Sequence, residues 1–270
     1  MTAFRFVGSV AVVTGGARGI GRGITDGFLA AGADVVICGR TEPAPEDLPS
    51  AVGPDGVART AVFVAADIRD PDQASSVIEA AVGRFGRVDV LVNNAGGSPQ
   101  ADAATASPRF STSIVALNLL APLHCAQAAN AVMQGQEEGG SIVNVASVSG
   151  LRPSPGTAAY GAAKAGLINL TQSLAIEWAP RVRVNSVSAG LVATGAADDH
   201  YGGAEGMAAV AATVPLGRFG TPADIAGLCL VLASPLAAYV SGANLVAHGG
   251  GERPAFLTAV ERATGGAGDR

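Results

Sequence analysis

The 270-residue chain is 49% hydrophobic and 14% charged, which supports one large α/β domain with a sizeable core and excludes wholesale disorder. Its formal charge of −5 leaves no basic surface for nucleic acid, so none is expected as a partner, though a small anion needs only a local positive site. Three scattered cysteines (Cys38, Cys125, Cys229) and three scattered histidines give neither a disulfide framework nor metal-ligand spacing, so no metal is expected. The start Met-Thr-Ala-Phe-Arg-Phe lacks the order of a signal peptide, and no run of about 18 uninterrupted apolar residues occurs. A cytoplasmic protein without a membrane span is the expectation.

The first apolar run, Val10–Val13, leads into Thr14-Gly15-Gly16-Ala17-Arg18-Gly19-Ile20-Gly21 and then a helical segment. Glycines there let a backbone approach a pyrophosphate, which the amides of the following helix end stabilise. The spacing is Gly-x-x-x-Gly-x-Gly rather than Gly-x-Gly-x-x-Gly, and in a chain with 37 glycines a chance cluster is the competing reading. Its position between the first strand and the first helix favours a nucleotide. The second run, Val35–Ile37, ends in Cys38-Gly39-Arg40. Gly39 stands where an acid would bind the ribose of NAD, so Arg40 and Arg18 point to the 2′-phosphate of NADP(H). Otherwise both are solvated arginines and Glu42 reaches the ribose, which keeps NAD(H) open.

Thr41–Gly56, with four prolines and little periodicity, reads as a surface loop. Ala61–Val64 is the third run. Asp70-Pro71 then introduces a helix over Gln73–Phe85, and Val88–Val92 ends in Asn93-Asn94-Ala95-Gly96, a turn that is either structural or part of a site. Asn118 lies in an apolar helical stretch, where a buried amide needs a helix-packing bond or a relay water. Ser141–Val145 is followed by Ser147, whose hydroxyl orients a substrate carbonyl or merely makes a turn; Ser149 is a substitute.

Tyr160 and Lys164 are four apart at the start of a long helical segment, hence on one face. Lys164 is the only lysine in the chain and Tyr160 one of three tyrosines. An ammonium beside a phenol lowers its pKa from about 10 toward the range useful for proton transfer. No Gly-x-Ser-x-Gly elbow or ordered histidine supports a hydrolase.

Val182–Val187 is the next strand, and Thr194–Gly206 a loop that runs into apolar Met207–Val214. A lid over about 192–214, with Tyr201 and Met207, is expected. Thr221-Pro222-Ala223-Asp224 caps another helix, Leu245–Ala247 is the last strand, and the tail is expected to fray. Together these elements predict an α/β, doubly wound, Rossmann-like parallel sheet of about seven strands, with helices on both faces of one domain spanning 1–270.

From Val7 to about Gly251 the chain closely resembles the short-chain dehydrogenase/reductase family, in its compact single-domain branch. The resemblance rests on Thr14-Gly-x-x-x-Gly-x-Gly21, Asn93-Asn-Ala-Gly96, Asn118, Ser147 and Tyr160-x-x-x-Lys164, with Asp67 and Tyr239-Val-Ser-Gly-Ala243 in agreement. It implies that Tyr160 exchanges the proton at the substrate oxygen, Lys164 holds the nicotinamide ribose, Ser147 binds the carbonyl and Asn118 anchors a relay water. It further implies cofactor contacts from Gly15, Gly19, Ile20, Gly21, Asp67, Ile68, Asn94, Ala95, Gly96, Gly190, Val192 and Thr194. A homotetramer, or at least a homodimer, built on the helices containing Asn118 and Tyr160 is implied as well. Ala189 stands where the family usually has proline, and His248 where aspartate is frequent.

The expected function is hydride transfer between NADP(H), or NAD(H), and a secondary alcohol or ketone. The apolar lid segment makes a 3-oxoacyl thioester or a steroid-like compound the candidate substrate. A non-catalytic NADP(H)-binding redox sensor is the alternative, and a lyase or epimerase on the same scaffold a third reading.

Overall fold

The computed structural model describes residues 4–195, 203–252 and 254–263. Seven parallel strands form one sheet: β1 (Val10–Thr14), β2 (Asp34–Gly39), β5 (Val62–Ala65), β6 (Val90–Asn93), β7 (Gly140–Ser147), β8 (Val182–Ala189) and β9 (Asn244–Ala247), in the spatial order β5-β2-β1-β6-β7-β8-β9. All five residues of β1 are buried, and they alternate between two cores. Ala11 and Val13 join Ile24, Phe28 and Ile225 on one face, while Val10 and Val12 join Val77, Ile78 and Met133 on the other. Period-two alternation with both faces covered is why these strands read as continuous apolar runs.

The first face is covered by α1 (Gly19–Ala30) and α7 (Pro222–Ala233). The second is covered by α2 (Pro71–Phe85) and α4 (Ala121–Met133), with α5 (Ala158–Glu177) beside them. Helix starts follow the expected chemistry. The Asp70 carboxylate caps α2 through the Asp72 amide at 2.9 Å, and Thr221 and Asp224 cap α7 reciprocally. α3 (Pro108–Val115) runs through one π turn, Ala116–Leu120, into α4. That run, Pro108–Met133, is apolar and long enough to pass a length test for spanning a membrane, yet Ala121, Cys125, Ala126, Ala129 and Met133 bury its inner face in the core.

One expectation is corrected. Thr41–Gly56 is not all loop: it holds a 3-10 turn, Pro45–Asp47, and with the residues after it an antiparallel hairpin of β3 (Ser50–Val52) and β4 (Ala58–Thr60). The strands are too short for a periodic signal, and the turn Gly53-Pro54-Asp55-Gly56 hides them among loop residues. Asp55 fixes the hairpin by pairing with Arg59 at 2.7 Å. Pro54 packs on Gly32 at the end of α1, so the hairpin covers the face where a crossover helix would lie.

α6 (Gly203–Ala211) occupies part of the expected lid, and α8 (Ala255–Ala263) closes the described chain. Tyr201 and the expected frayed tail, 264–270, lie outside the described residues. Strand order reverses between β1 and β6, and the crevice at their C-terminal ends is where such sheets bind ligands.

Candidate active site

The glycine turn sits at that reversal. Gly15 has φ +66°, a conformation that favours glycine, and its amide donates to Cys38 O at 2.9 Å. A Cβ on Gly21 would collide with the Gly15 carbonyl and the Asn94 amide nitrogen. No side chain caps α1 at Arg18, which leaves its first amides open to an anion. Thr14, which opens the motif, and Thr25, unremarked in the sequence, hold the turn in place. Thr14 Oγ1 accepts from the amides of Asn94 and Ala95, both at 3.0 Å, and buried Thr25 Oγ1 donates to Gly16 O at 3.0 Å and Gly21 O at 2.9 Å. Thr25, four residues after Gly21, carries no motif signal of its own.

The turn after β6 faces the glycine turn. Asn94 Nδ2 donates to Thr14 O at 2.9 Å and Gly15 O at 3.4 Å, so its side chain clamps the two turns and its backbone, with Ala95 and Gly96, lines the crevice. Asn93 is buried and bonds Pro122 O at 3.0 Å and Asn144 Oδ1 at 2.9 Å, which bears out the structural reading for that residue.

At the end of β2 a Cβ added to Gly39 would meet only the Phe63 ring, in ordinary contact at 3.6 Å. Arg18 and Arg40 are both exposed. Asp67 is less free than expected, because Arg69 grips its carboxylate through Nε at 2.9 Å and through Nη2, holding the acid well below its usual range; Arg40 adds to this from a distance. Ile68 is buried in the second core, so only its backbone is available. Ile20 packs against the first core.

Gly190 donates to Ala247 O at 2.8 Å, and Val192 bridges to Gly220. Thr194 then lies over the turn, its Cγ2 3.5 Å from where a Cβ on Gly19 would stand. A pocket of about 490 Å³ opens beside them, between Arg22, Asp26, Thr194, Met207 and Pro222.

Ser147, Asn118, Tyr160 and Lys164 come together at the ends of β7 and α5. Lys164 is 2% exposed; its Nζ donates to Val145 O at 2.7 Å and stands 5.7 Å from the centre of the Tyr160 ring. Burial pushes its pKa down to about 8. Burial also pushes the Tyr160 phenol up, and a hydrogen bond with Ser147 pulls it partly back. This corrects the expectation that the ammonium sets the phenol's acidity: desolvation dominates, and Ser147 supplies the opposing effect. Such a phenol keeps its proton at neutral pH, ready to donate to a ketone oxygen.

Asn118 is fully buried and its amide is spent on structure. Oδ1 accepts from Gly97 N at 2.9 Å, and Nδ2 donates to Gly97 O and Ile114 O, each at 2.9 Å. Pro122, four residues on, has no N–H to give the Asn118 carbonyl, which accounts for the π turn and frees that oxygen from the helical pattern. Gly96 completes the packing: a Cβ there would lie 2.6 Å from Asn118 Oδ1 and 3.3 Å from Lys164 Nζ.

A family model described as "Enoyl-(Acyl carrier protein) reductase" matches residues 15–252. The chain is 32% identical over 252 residues to 2-dehydro-3-deoxy-D-gluconate 5-dehydrogenase of Escherichia coli, spanning 93% of this chain and 98% of that protein. It is 38% identical over 242 residues to L-rhamnose 1-dehydrogenase (NAD(P)(+)) of Azotobacter vinelandii, spanning 88% and 94%. In three dimensions it is similar to a short-chain type dehydrogenase/reductase from Mycobacterium marinum, with TM-score 0.83, 31% identity, and 93% and 98% of the two chains covered.

Proposed function

This chain belongs to the short-chain dehydrogenase/reductase family and is an oxidoreductase of small molecules; on that footing we propose that it moves a hydride between NADP(H) and a secondary alcohol or its ketone. One observation carries the reading. Lys164 Nζ is buried one helical turn from Tyr160 and bonds a single carbonyl, leaving ammonium donors for ribose hydroxyls. The uncapped α1 terminus and the cradle at Gly21 suit a pyrophosphate. Gly39 at the end of β2, where an added Cβ would touch only the Phe63 ring, and exposed Arg18 and Arg40 suit a 2′-phosphate, so NADP(H) is favoured and NAD(H) is the lesser alternative.

The dinucleotide, when bound, supplies or accepts the hydride at its nicotinamide ring. The chain's own residues do the rest. Ser147 orients the substrate oxygen, Tyr160 donates its proton there in reduction and recovers it in oxidation, and Lys164 holds the ribose. The Asn118 carbonyl offers a site for a relay water. Met207–Val214, the apolar part of the expected lid, supports a 3-oxoacyl thioester or steroid-like ketone as one substrate class. The names of the two enzymes above, a gluconate-type and a rhamnose dehydrogenase, support hydroxylated substrates as another. A redox sensor would need no proton donor, and this site holds one.

We further propose a homotetramer, or at least a homodimer, through the helices carrying Asn118 and Tyr160, where Leu120 and Ile176 are exposed. The three cysteines are free and buried, with no disulfide among the described residues, and a cytoplasmic setting is the one we favour.

The test is a carbonyl panel with NADPH deuterated at the transferable position of its ring. Deuterium at the carbinol carbon of the product, with NADPH favoured over NADH at equal concentration, is the expected result. Turnover without label transfer would sink the hydride reading, and a clear NADH preference would sink the cofactor assignment.

A further inference from the structure

β7, β8 and β9 lie side by side and parallel, so the loops leaving them rise on the same edge of the sheet. The loop after β7, residues 148–157, carries Arg152; the segment after β9, residues 248–252, carries Glu252. Arg152 Nη2 donates to Glu252 Oε1, and Nη1 donates to Pro153 O at 3.1 Å. The pair therefore spans the exit of β8, from which Gly190–Thr194 run toward the glycine turn. On its other flank the same loop is tied to the loop after β6, by the Ala101 amide to Gly156 O at 2.8 Å. A guanidinium is thus fixed on the rim of the cleft, in the loop that joins Ser147 to Tyr160.

We propose that Arg152 recognises a carboxylate on the substrate, that the substrate is a hydroxy acid or its oxo acid, and that Glu252 occupies the guanidinium until substrate arrives. The inference rests on the hydride-transfer reading above and narrows its substrate. An arginine fork matches a carboxylate through two parallel bonds, whereas Glu252 engages it here through Oε1. Both side chains are partly exposed, at 41% and 44%, so their pairing adds little to stability and is cheap to displace. Around the pair the rim is mixed: His248 Nε2 lies 3.3 Å from where a Cβ on Gly251 would stand and the Gln100 side chain flanks Gly156, while Val214, Pro215 and Leu216 pack on Gly249 and Gly250. Arg152, Glu252, His248 and Gln100 give a hydroxylated acid polar partners there that a lipophilic ketone could not use. A thioester carrier also bears anionic groups, but they lie far from its carbonyl, while Arg152 sits in the loop that begins directly after Ser147.

The full-length enzyme with NADPH is assayed on short oxo acids (acetoacetate, 4-oxopentanoate, 5-oxo-D-gluconate), each against its methyl ester, with acetoacetyl-coenzyme A and D-fructose as further arms. Acids are expected to exceed their esters in kcat/KM by about tenfold or more, chiefly through KM. Arg152→Gln should collapse that ratio toward unity, Arg152→Lys should restore part of it, and Glu252→Gln should lower KM for the acids. Equal rates on acids and esters, a loss in Arg152→Gln shared alike by both, or turnover confined to acetoacetyl-coenzyme A or D-fructose would overturn the proposal. If no carbonyl is reduced, the hydride-transfer reading fails by itself. Calorimetry of the same acids on the NADP-loaded protein then decides the anchor: saturable binding lost in Arg152→Gln supports it, and absence of binding refutes it.

Discussion

The Lys164 ammonium, 2% exposed, gives up hydration that one bond to Val145 O only partly restores, and its pKa falls from 10.5 to about 8. Between those values the unfolded chain keeps a proton that the folded chain has shed, so this group makes stability rise with pH across that window. Below it the buried charge costs about 3 kcal/mol, and above it the cost is gone. Urea unfolding of wild type and Lys164→Met across this range should show wild type gaining about that much on the variant; a flat difference would mean the ammonium is not desolvated. This residue was legible in the sequence, as the only lysine, four positions from a tyrosine. The sign of the phenol's shift was not, because burial is a property of the packed site. Arg69 was equally hidden: only the turn after β5 brings its guanidinium back onto Asp67.

Among the elements, the β1–α1 turn shows how little the chain tolerates change where two turns interlock. Gly21→Ala would push a methyl group into the Gly15 carbonyl and the Asn94 amide. Overpacking of this kind costs about 1–3 kcal/mol, so fluorescence titration should find NADPH binding weakened by about tenfold or more, with a lower Tm. Unchanged affinity would place the dinucleotide elsewhere. Caps and apolar runs were readable because they are local: Asp70-Pro71 and Thr221-Pro222 announce α2 and α7 before any packing is known. The hairpin β3–β4 was not, since three-residue strands have no period to read. The π turn was concealed for another reason, as Pro122 inside an apolar stretch signals a kink without saying which helical residue profits from it.

For the whole molecule, the order β5-β2-β1-β6-β7-β8-β9 collects residues distant in sequence along one edge, which is why Asn118, Ser147 and Lys164 meet. The alternation of strands and helices foretold that sheet, and the resemblance supplied the roles. The polar rim joining the loops after β7 and β9 could not be read, because nothing in the sequence pairs Arg152 with Glu252. Exposed Ile176 on α5 and Leu120 at the end of the π turn are the apolar surface that assembly would cover. Light scattering should give a mass of two or four times the chain, and Ile176→Asp should lower it; a monodisperse monomer in the wild type would remove the assembly from the account.

The central claim is that Tyr160 trades the substrate's proton beside a dinucleotide held by Lys164. Tyr160→Phe removes one oxygen and little else, so turnover and NADPH affinity measured on this variant test it most directly. A fall in kcat of about 10²–10⁴ with NADPH affinity nearly unchanged is the expected result; a variant that still turns over a cognate substrate at the wild-type rate would contradict this role for Tyr160.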